Sequence, residues 1–242
     1  MYKGKSIALI LPARNEAQSL LSVLNTIPPE VDHVIVADNG SDDSTTDVAK
    51  KLGAFVVSEP VAGYGRACLA ALKTLDDINP DIVAFADADG SDDISNLLLL
   101  LDPIVSGDAD FVLEHRIPKV SHSLTALQRF GNRLATSLIH VLWGHLYHDL
   151  GPMRAIPWAA LKALDMKEQD YGWTVEMQIR ALKQGLRVRE IPLDYHARIA
   201  GKSKVSGNLI GSIRAGRKIL WVIFREALSG GSVKYHYRTT VE

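Results

Sequence analysis

Short apolar runs alternate with helix-patterned segments through the first half of the chain, and this constrains the fold more than any other feature. Ile7–Leu11 is apolar and stops at Pro12, which reads as a buried strand. Leucines at helical spacing follow over Ala17–Thr26, then a second strand, Val34–Ala37. Ser44–Leu52 reads as a helix stopped by Gly53, Phe55–Val57 as a strand, Arg66–Leu75 as a helix and Ile82–Ala86 as a fourth strand. Ile94–Val105 is helical and Phe111–Leu113 a short strand. Such alternation implies an α/β fold, a mostly parallel sheet covered by helices on both faces. Ligands of these sheets bind beyond the carboxyl ends of the strands. The polar clusters fall there: Ala13–Glu16 after the first strand, Asp38–Ser41 after the second and Asp87–Asp89 after the fourth.

The chain has 242 residues and a net charge of −1, which gives no global field toward nucleic acid or anionic lipid. Its lone cysteine, Cys68, cannot form an internal disulfide and lies in an apolar helical stretch, so a reducing compartment and a buried thiol are expected. Lys3 and Lys5 before Ile7–Leu11 imitate a signal peptide, but Pro12, Arg14 and Glu16 cut the apolar run short. No run reaches the roughly 20 apolar residues that span a bilayer. The expected location is the cytoplasm, with contact at the inner face of a membrane left open.

Asp87 and Asp89 stand one residue apart after an apolar strand, so on extended backbone both carboxylates point the same way. A divalent cation removes their repulsion, and an all-oxygen site suits Mg²⁺ or Mn²⁺. Such an ion would hold a diphosphate and offset the charge on it as it leaves. The competing reading is a solvated loop, with Asp92 and Asp93 as cap residues of the next helix.

The second half is less regular. Ser123–Trp143 and Thr174–Gln184 read as helices, Arg187–Ile191 as a strand and Asn208–Leu228 as a last helix. One domain over residues 1–206 with a helical extension and tail over 207–242 is expected. The last helix sets Ile210, Ile213, Leu220, Trp221 and Phe224 beside Arg214, Arg217, Lys218 and Arg225. A basic amphipathic helix can lie in a membrane interface. It can equally pack on the domain or on a second copy of the chain. His140, His145 and His148 fit helix-surface or helix-end residues better than a zinc cluster, and Trp143 and Trp173 fit core packing at least as well as sugar stacking.

Taken together, these segments resemble the family 2 glycosyltransferases of the GT-A fold, from about Ile7 to Val205. Within them the chain is most similar to the dolichyl-phosphate mannosyltransferase and polyprenyl-phosphate glycosyltransferase branch. Leu11–Glu16 resembles the opening Pro-x-x-Asn-Glu motif, which implies that Pro12, Arg14, Asn15 and Glu16 line the nucleotide pocket. Ala37–Thr45 resembles the Asp-Asp-Gly-Ser segment, with Asp38 against the base, Asn39 in place of the second acid, and Gly40 and Ser41 alongside. Gly63–Ala67 is similar to the family's glycine turn and puts Arg66 near the nucleotide. Phe85–Asp89 resembles the metal-binding Asp-x-Asp, which assigns Asp87, Ala88 and Asp89 to the donor site and makes Asp89 catalytic through the metal. Ser91 stands where that branch often has glutamine.

Glu114-His115-Arg116 resembles a Gly-Ser-Arg segment and Gln128–Asn132 an Arg-x-x-Asn helix, which implies that Arg116 and Arg129 grip an anionic acceptor. Asp149–Arg154 resembles an acceptor-side loop with altered spacing. Gly172–Glu176 is similar to a later acidic motif, so Glu176 is the candidate base and Asp149 its competitor. Arg198–Lys204 resembles an Arg-x-x-Gly-x-Ser-Lys loop, which implies that Arg198, Lys202 and Ser203 close over the donor diphosphate.

The resemblance implies a metal-dependent, inverting transferase that moves a sugar from a UDP- or GDP-linked donor to an acceptor, with a polyprenyl phosphate as one acceptor class. The alternative is a non-catalytic nucleotide-sugar-binding or membrane-docking protein. Nucleotidyl transfer is disfavoured, because Pro12–Glu16 lacks a glycine-rich basic loop after the first strand.

Overall fold

The computed structural model describes residues 1–119, 125–200 and 209–230. Its sheet is built from β1 (Ile7–Ala13), β2 (His33–Asp38), β3 (Phe55–Ser58), β4 (Ile82–Phe85), β5 (Phe111–Pro118), β6 (Arg154–Pro157) and β7 (Val188–Tyr195). The helices are α1 (Ala17–Thr26), α2 (Thr45–Lys51), α3 (Tyr64–Ile78), α4 (Leu97–Val105), α5 (Ala126–Trp143), α6 (Trp158–Leu164), α7 (Trp173–Lys183) and α8 (Leu209–Leu228). The strand order is β3-β2-β1-β4-β6-β5-β7. All pairs are parallel except those of β6, which runs antiparallel to both neighbours.

The continuous apolar character of β1 and β4 is explained by burial on both faces. Ile7, Leu9 and Leu11 enter one core layer with Leu20 of α1 and Leu97, Leu100 and Leu101 of α4. Ala8 and Ile10 enter the other with Cys68 and Leu75 of α3 and residues of α5 to α8. The two layers hold the sheet so that β1, β2 and β4 end on one side, where their turns meet. Cys68 is a buried free thiol, as expected. Trp143 and Trp173 are core residues.

The structure departs from the sequence expectation at four elements. β6 and α6 were not foreseen. β5 continues past Leu113 to Pro118, and β7 past Ile191 to Tyr195; the two pair in register over eight residues, Phe111↔Val188 to Pro118↔Tyr195. Arg116 therefore stands on a strand. The first turn of α5 is closed by a capping box in which the Thr125 side chain and Gln128 bond each other's backbone N–H. α8 folds back onto α5 and α7, and the expected boundary at residues 206/207 lies outside the described residues. No described helix is long and apolar enough to cross a membrane.

Candidate active site

The residues expected to face the donor gather at three strand ends. β1 delivers Pro12 and Ala13, and the chain then turns through Asn15 at φ 54°. That turn is held by the Asn15 N–H donating to Ser41 Oγ (2.9 Å) and the Asp42 N–H donating to Asn15 Oδ1 (2.8 Å). Arg14 is exposed, while Glu16 is buried. β2 delivers the buried Asp38, whose carboxylate faces the Ser41 N–H at 3.3 Å, with Gly40 at φ 69° between them. Asn39, standing in place of an acid, uses its whole amide. Its Nδ2 donates to Glu59 O (3.0 Å) and Val61 O (2.8 Å), and its Oδ1 accepts from the Gly63 N–H (2.8 Å). A carboxylate has no donor for those carbonyls. This bracket sets the start of α3, where Arg66 is partly buried and its N–H bonds Gln169 O (3.0 Å).

After β4, Asp87, Ala88 and Asp89 form the third turn. Asp89 is buried; its Oδ1 accepts from the Ser91 N–H (2.9 Å) and hydroxyl (2.5 Å), and its Oδ2 meets Arg198 Nη2 at 2.5 Å. Arg198 also donates from Nη1 to Glu16 Oε1 (2.9 Å), so one guanidinium joins the ends of β1 and β4. The segment after β7 lies along this turn through His196 N–H to Ser91 O (2.9 Å) and Ile199 N–H to Asp89 O (3.1 Å). The Asp87 N–H donates to Asp92 Oδ2 (2.8 Å). Burial, then the neighbouring Asp92 and Asp89 charges, push the Asp87 carboxyl well above its ordinary range. Asp92 Oδ1 is buried without a partner.

Negative charge in excess of its cations is the environment a divalent ion relieves, so these residues fit one at Asp87 and Asp89. Among the described residues, no group of three or more His, Cys, Asp or Glu could hold a metal by itself. An ion such as Mg²⁺ is bound by one or two carboxylates and completed by water and substrate phosphate.

The residues expected to face the acceptor lie beyond β5. Asp149 grips Arg116 bidentately: Nε to Oδ2 at 2.5 Å, Nη2 to Oδ1 at 2.8 Å, and the Arg116 N–H to Oδ2 at 3.2 Å. Burial alone would raise the Asp149 carboxyl; the Arg116 hydrogen bonds and charge outweigh it and hold it below the ordinary range. Arg116 and Arg129 both line a groove of about 630 Å³ between α5 and α8, with His148 and Thr174. Asn132 also lines it and accepts the Leu150 N–H (3.0 Å). His115 stacks on His148 (ring centroids 5.1 Å), whose Nδ1 lies 2.8 Å from Glu190. Glu114 is fully buried against Gly151, its backbone N–H donating to Met153 O (2.9 Å), and burial pushes its carboxyl up to about 8, Arg116 opposing and Asp149 reinforcing the shift.

A family model described as Glycosyl transferase family 2 matches residues 8–162. The chain belongs to glycosyl transferase family 2. This glycosyltransferase is 32% identical to a dolichyl-phosphate hexose transferase of Haloferax volcanii over 232 residues, 94% of this chain and 98% of the relative. It is 38% identical to an uncharacterized glycosyltransferase of Mycobacterium tuberculosis over 212 residues, 88% and 95% of the two chains. Among solved structures it resembles glucosyl-3-phosphoglycerate synthase from Mycobacterium tuberculosis, in complex with Mn²⁺, uridine diphosphate and glucosyl-3-phosphoglycerate. The TM-score is 0.75 at 24% identity, covering 93% of this chain and 80% of that one. That likeness establishes the GT-A fold.

The residues expected at the donor site of this family 2 glycosyltransferase therefore stand at the ends of β1, β2 and β4, at the start of α3 and, for Arg198, after β7. Lys202 and Ser203 lie outside the described residues. Glu176 stands apart from the groove. It is fully buried in the first turn of α7, where Oε2 accepts the N–H groups of Lys167 (3.0 Å) and Glu168 (2.7 Å). Its Oε1 meets Arg225 Nη2 (2.6 Å) and Arg180 Nη2 (3.2 Å). The carboxylate thus fastens α8 to α7.

Three structural roles had no assignment from sequence. Asn39 brackets residues 59–63, and Asn132 carries the loop at Leu150. Arg154, fully buried, donates to Pro152 O (3.2 Å), Thr174 O (3.0 Å) and Gly151 O, pinning the loop after Asp149 to α7. The motif carried Asn132 and Arg154 in plain view, but their partners are loop carbonyls and N–H groups that no spacing reveals.

Proposed function

We propose that this protein transfers a sugar from a nucleoside diphosphate sugar to an anionic acceptor, with Mg²⁺ or Mn²⁺ at Asp87 and Asp89. The observation that carries the reading is the junction at Asp89. There a buried carboxylate, a guanidinium from beyond β7 and the turn after β1 converge at the strand ends. Asp38, Gly40 and Ser41 take the nucleoside, Arg66 supports it, and Arg198 with Lys202 and Ser203 clamps the diphosphate. The metal, when bound, offsets the charge on the leaving diphosphate. Positioning and leaving-group stabilisation supply most of the rate. The acceptor oxygen attacks the anomeric carbon from the opposite face, and a single displacement inverts its configuration.

The acceptor is a phosphate, and a polyprenyl phosphate is the class we favour. Asp149 is bound bidentately by Arg116, and Glu176 is enclosed by Arg180, Arg225 and two backbone N–H groups. An acceptor that is already ionised needs neither as a base. Relatives described as a dolichyl-phosphate hexose transferase and as a UDP-N-acetylglucosamine–dolichyl-phosphate N-acetylglucosaminyltransferase support the choice.

Calorimetric titration with UDP, GDP and their sugar conjugates, with and without Mn²⁺, tests the donor site. One nucleotide should bind tightly with metal and weakly to Asp89→Ala. A folded sample that binds none of them would reject the transferase reading. Donor binding without turnover on any phosphate acceptor would favour the non-catalytic alternative.

A further inference from the structure

α5 and α8 lie side by side and turn large apolar residues outward. On α5, Leu127, Phe130, Leu134 and Val141 recur at helical spacing on one stripe; Phe130 is 66% exposed. On α8, Ile213, Trp221, Phe224 and Leu228 are exposed along one face, with Trp221 at 53%. The same faces carry cations: Arg133 on α5, and Arg214 and Arg217 on α8, are all exposed. Across the 18 residues of α5 and the 20 of α8 the sole acid is Glu226, which is buried and bound by Arg180, Lys183 and Arg225. The chain as a whole has 28 acids against 27 Lys and Arg, so their absence from this face is a local bias. Lys218 and Arg225 flank the Trp221 ring at 4.9 and 5.0 Å.

From this we infer that the α5–α8 face docks on an anionic lipid bilayer, its apolar stripes entering the headgroup boundary and its arginines meeting lipid phosphates. Charge decides the occupant. A second copy of the chain would bring two cationic faces together, whereas an anionic bilayer complements them. Neither helix is long and apolar enough to cross a bilayer. The groove that holds Arg116 and Arg129 opens between the same two helices, so docking sets it at the lipid surface. The docking does not depend on the transferase reading, which only explains its use: a lipid-borne phosphate reaches the groove without leaving the membrane.

The protein supplies its own reporter, since Trp143, Trp158 and Trp173 are buried and Trp221 is exposed. The full chain is mixed with vesicles of phosphatidylcholine, alone or with one third phosphatidylglycerol. Binding is read by co-sedimentation and by tryptophan emission. Expected are binding to the anionic vesicles only, a blue shift that Trp221→Phe abolishes, and release by salt. Arg133→Glu with Arg217→Glu should weaken partition at least tenfold, as should Phe130→Ser with Phe224→Ser. Circular dichroism and donor binding should stay unchanged in both, which separates failure of docking from failure of the transferase reading. The inference is overturned by folded protein that binds neither vesicle, by charge-reversed protein that binds as well as the parent, or by a dimer in sedimentation that Phe130→Ser dissociates.

Discussion

Replacing Arg198 by alanine should make the nucleotide-free protein a better metal binder and a worse nucleotide binder. The guanidinium contacts Glu16 at 2.9 Å and Asp89 at 2.5 Å, and the side chains are only 23%, 7% and 8% exposed. A hydrogen bond to a charged group contributes about 1.5–3 kcal/mol. A divalent ion that engages Asp89 must take that carboxylate from the guanidinium or share it. Removing the competitor should therefore raise the affinity for Mn²⁺ alone by about 1–2 kcal/mol, roughly 5- to 30-fold. With nucleotide present the sign reverses: the diphosphate loses its guanidinium contact, and Mn²⁺–UDP binding should weaken about tenfold. Arg198→Lys keeps the charge without the fork and should fall between. Free Mn²⁺ is counted by its paramagnetic resonance signal during titration, with and without UDP. The variant should also melt lower than the parent in chelator and recover in Mn²⁺. If Arg198→Ala binds Mn²⁺ no better than the parent in the absence of nucleotide, the guanidinium does not occupy the cation's place and the reasoning fails.

Arg225→Ala should destabilise the fold by about 2–3 kcal/mol in denaturant unfolding. Glu168, Glu176 and Glu226 lose a shared cation, although Glu176 keeps Arg180 and two backbone donors. Glu176→Gln should likewise lower stability while changing turnover little; a loss of about 10²–10⁴-fold at normal stability would restore it as the base. The Glu114 carboxyl, pushed up to about 8 by burial, keeps its proton in the fold where the unfolded chain has released it. Stability should therefore fall as pH rises from about 4.5 to 8, by at most about 1.4 kcal/mol per pH unit, and Glu114→Gln should flatten that slope in urea titrations at several pH values. Gly65→Ala would set a methyl 2.1 Å from the Glu168 carbonyl oxygen, a backbone atom that cannot swing aside. It should cost about 1–3 kcal/mol, read from the melting temperature.

The donor half was legible because each of its strands is one apolar run closed by a polar turn, and both periodicities survive in a sheet covered on two faces. β6 was not, because Arg154–Pro157 is four residues ending in a proline, too short for a pattern, and it runs against its neighbours. β5 and β7 were read short because their far ends carry Glu114, His115, Arg116 and Asp194, which look like loop in sequence. Charge pairing was the least legible. Arg116 meets Asp149 across 33 positions and Arg225 meets Glu176 across 49, and only the packed chain brings them together. An acid in a helix's first turn reads alike whether it faces substrate or a buried arginine, which is why sequence alone makes Glu176 a candidate base.

The tight seat of α3 has a practical consequence for redesign. A side chain at Gly63 would strike the Gln169 carbonyl oxygen at 2.3 Å, and one at Gly65 the Glu168 carbonyl oxygen. These positions form a fixed frame. Asn15, at positive φ and bonded to the 41–42 turn, belongs to it as well. Arg14 and Asp42 are exposed, and neither side chain is needed to hold the turns. A library aimed at new donors would randomise those two and leave the glycines alone, so that most of its members still fold.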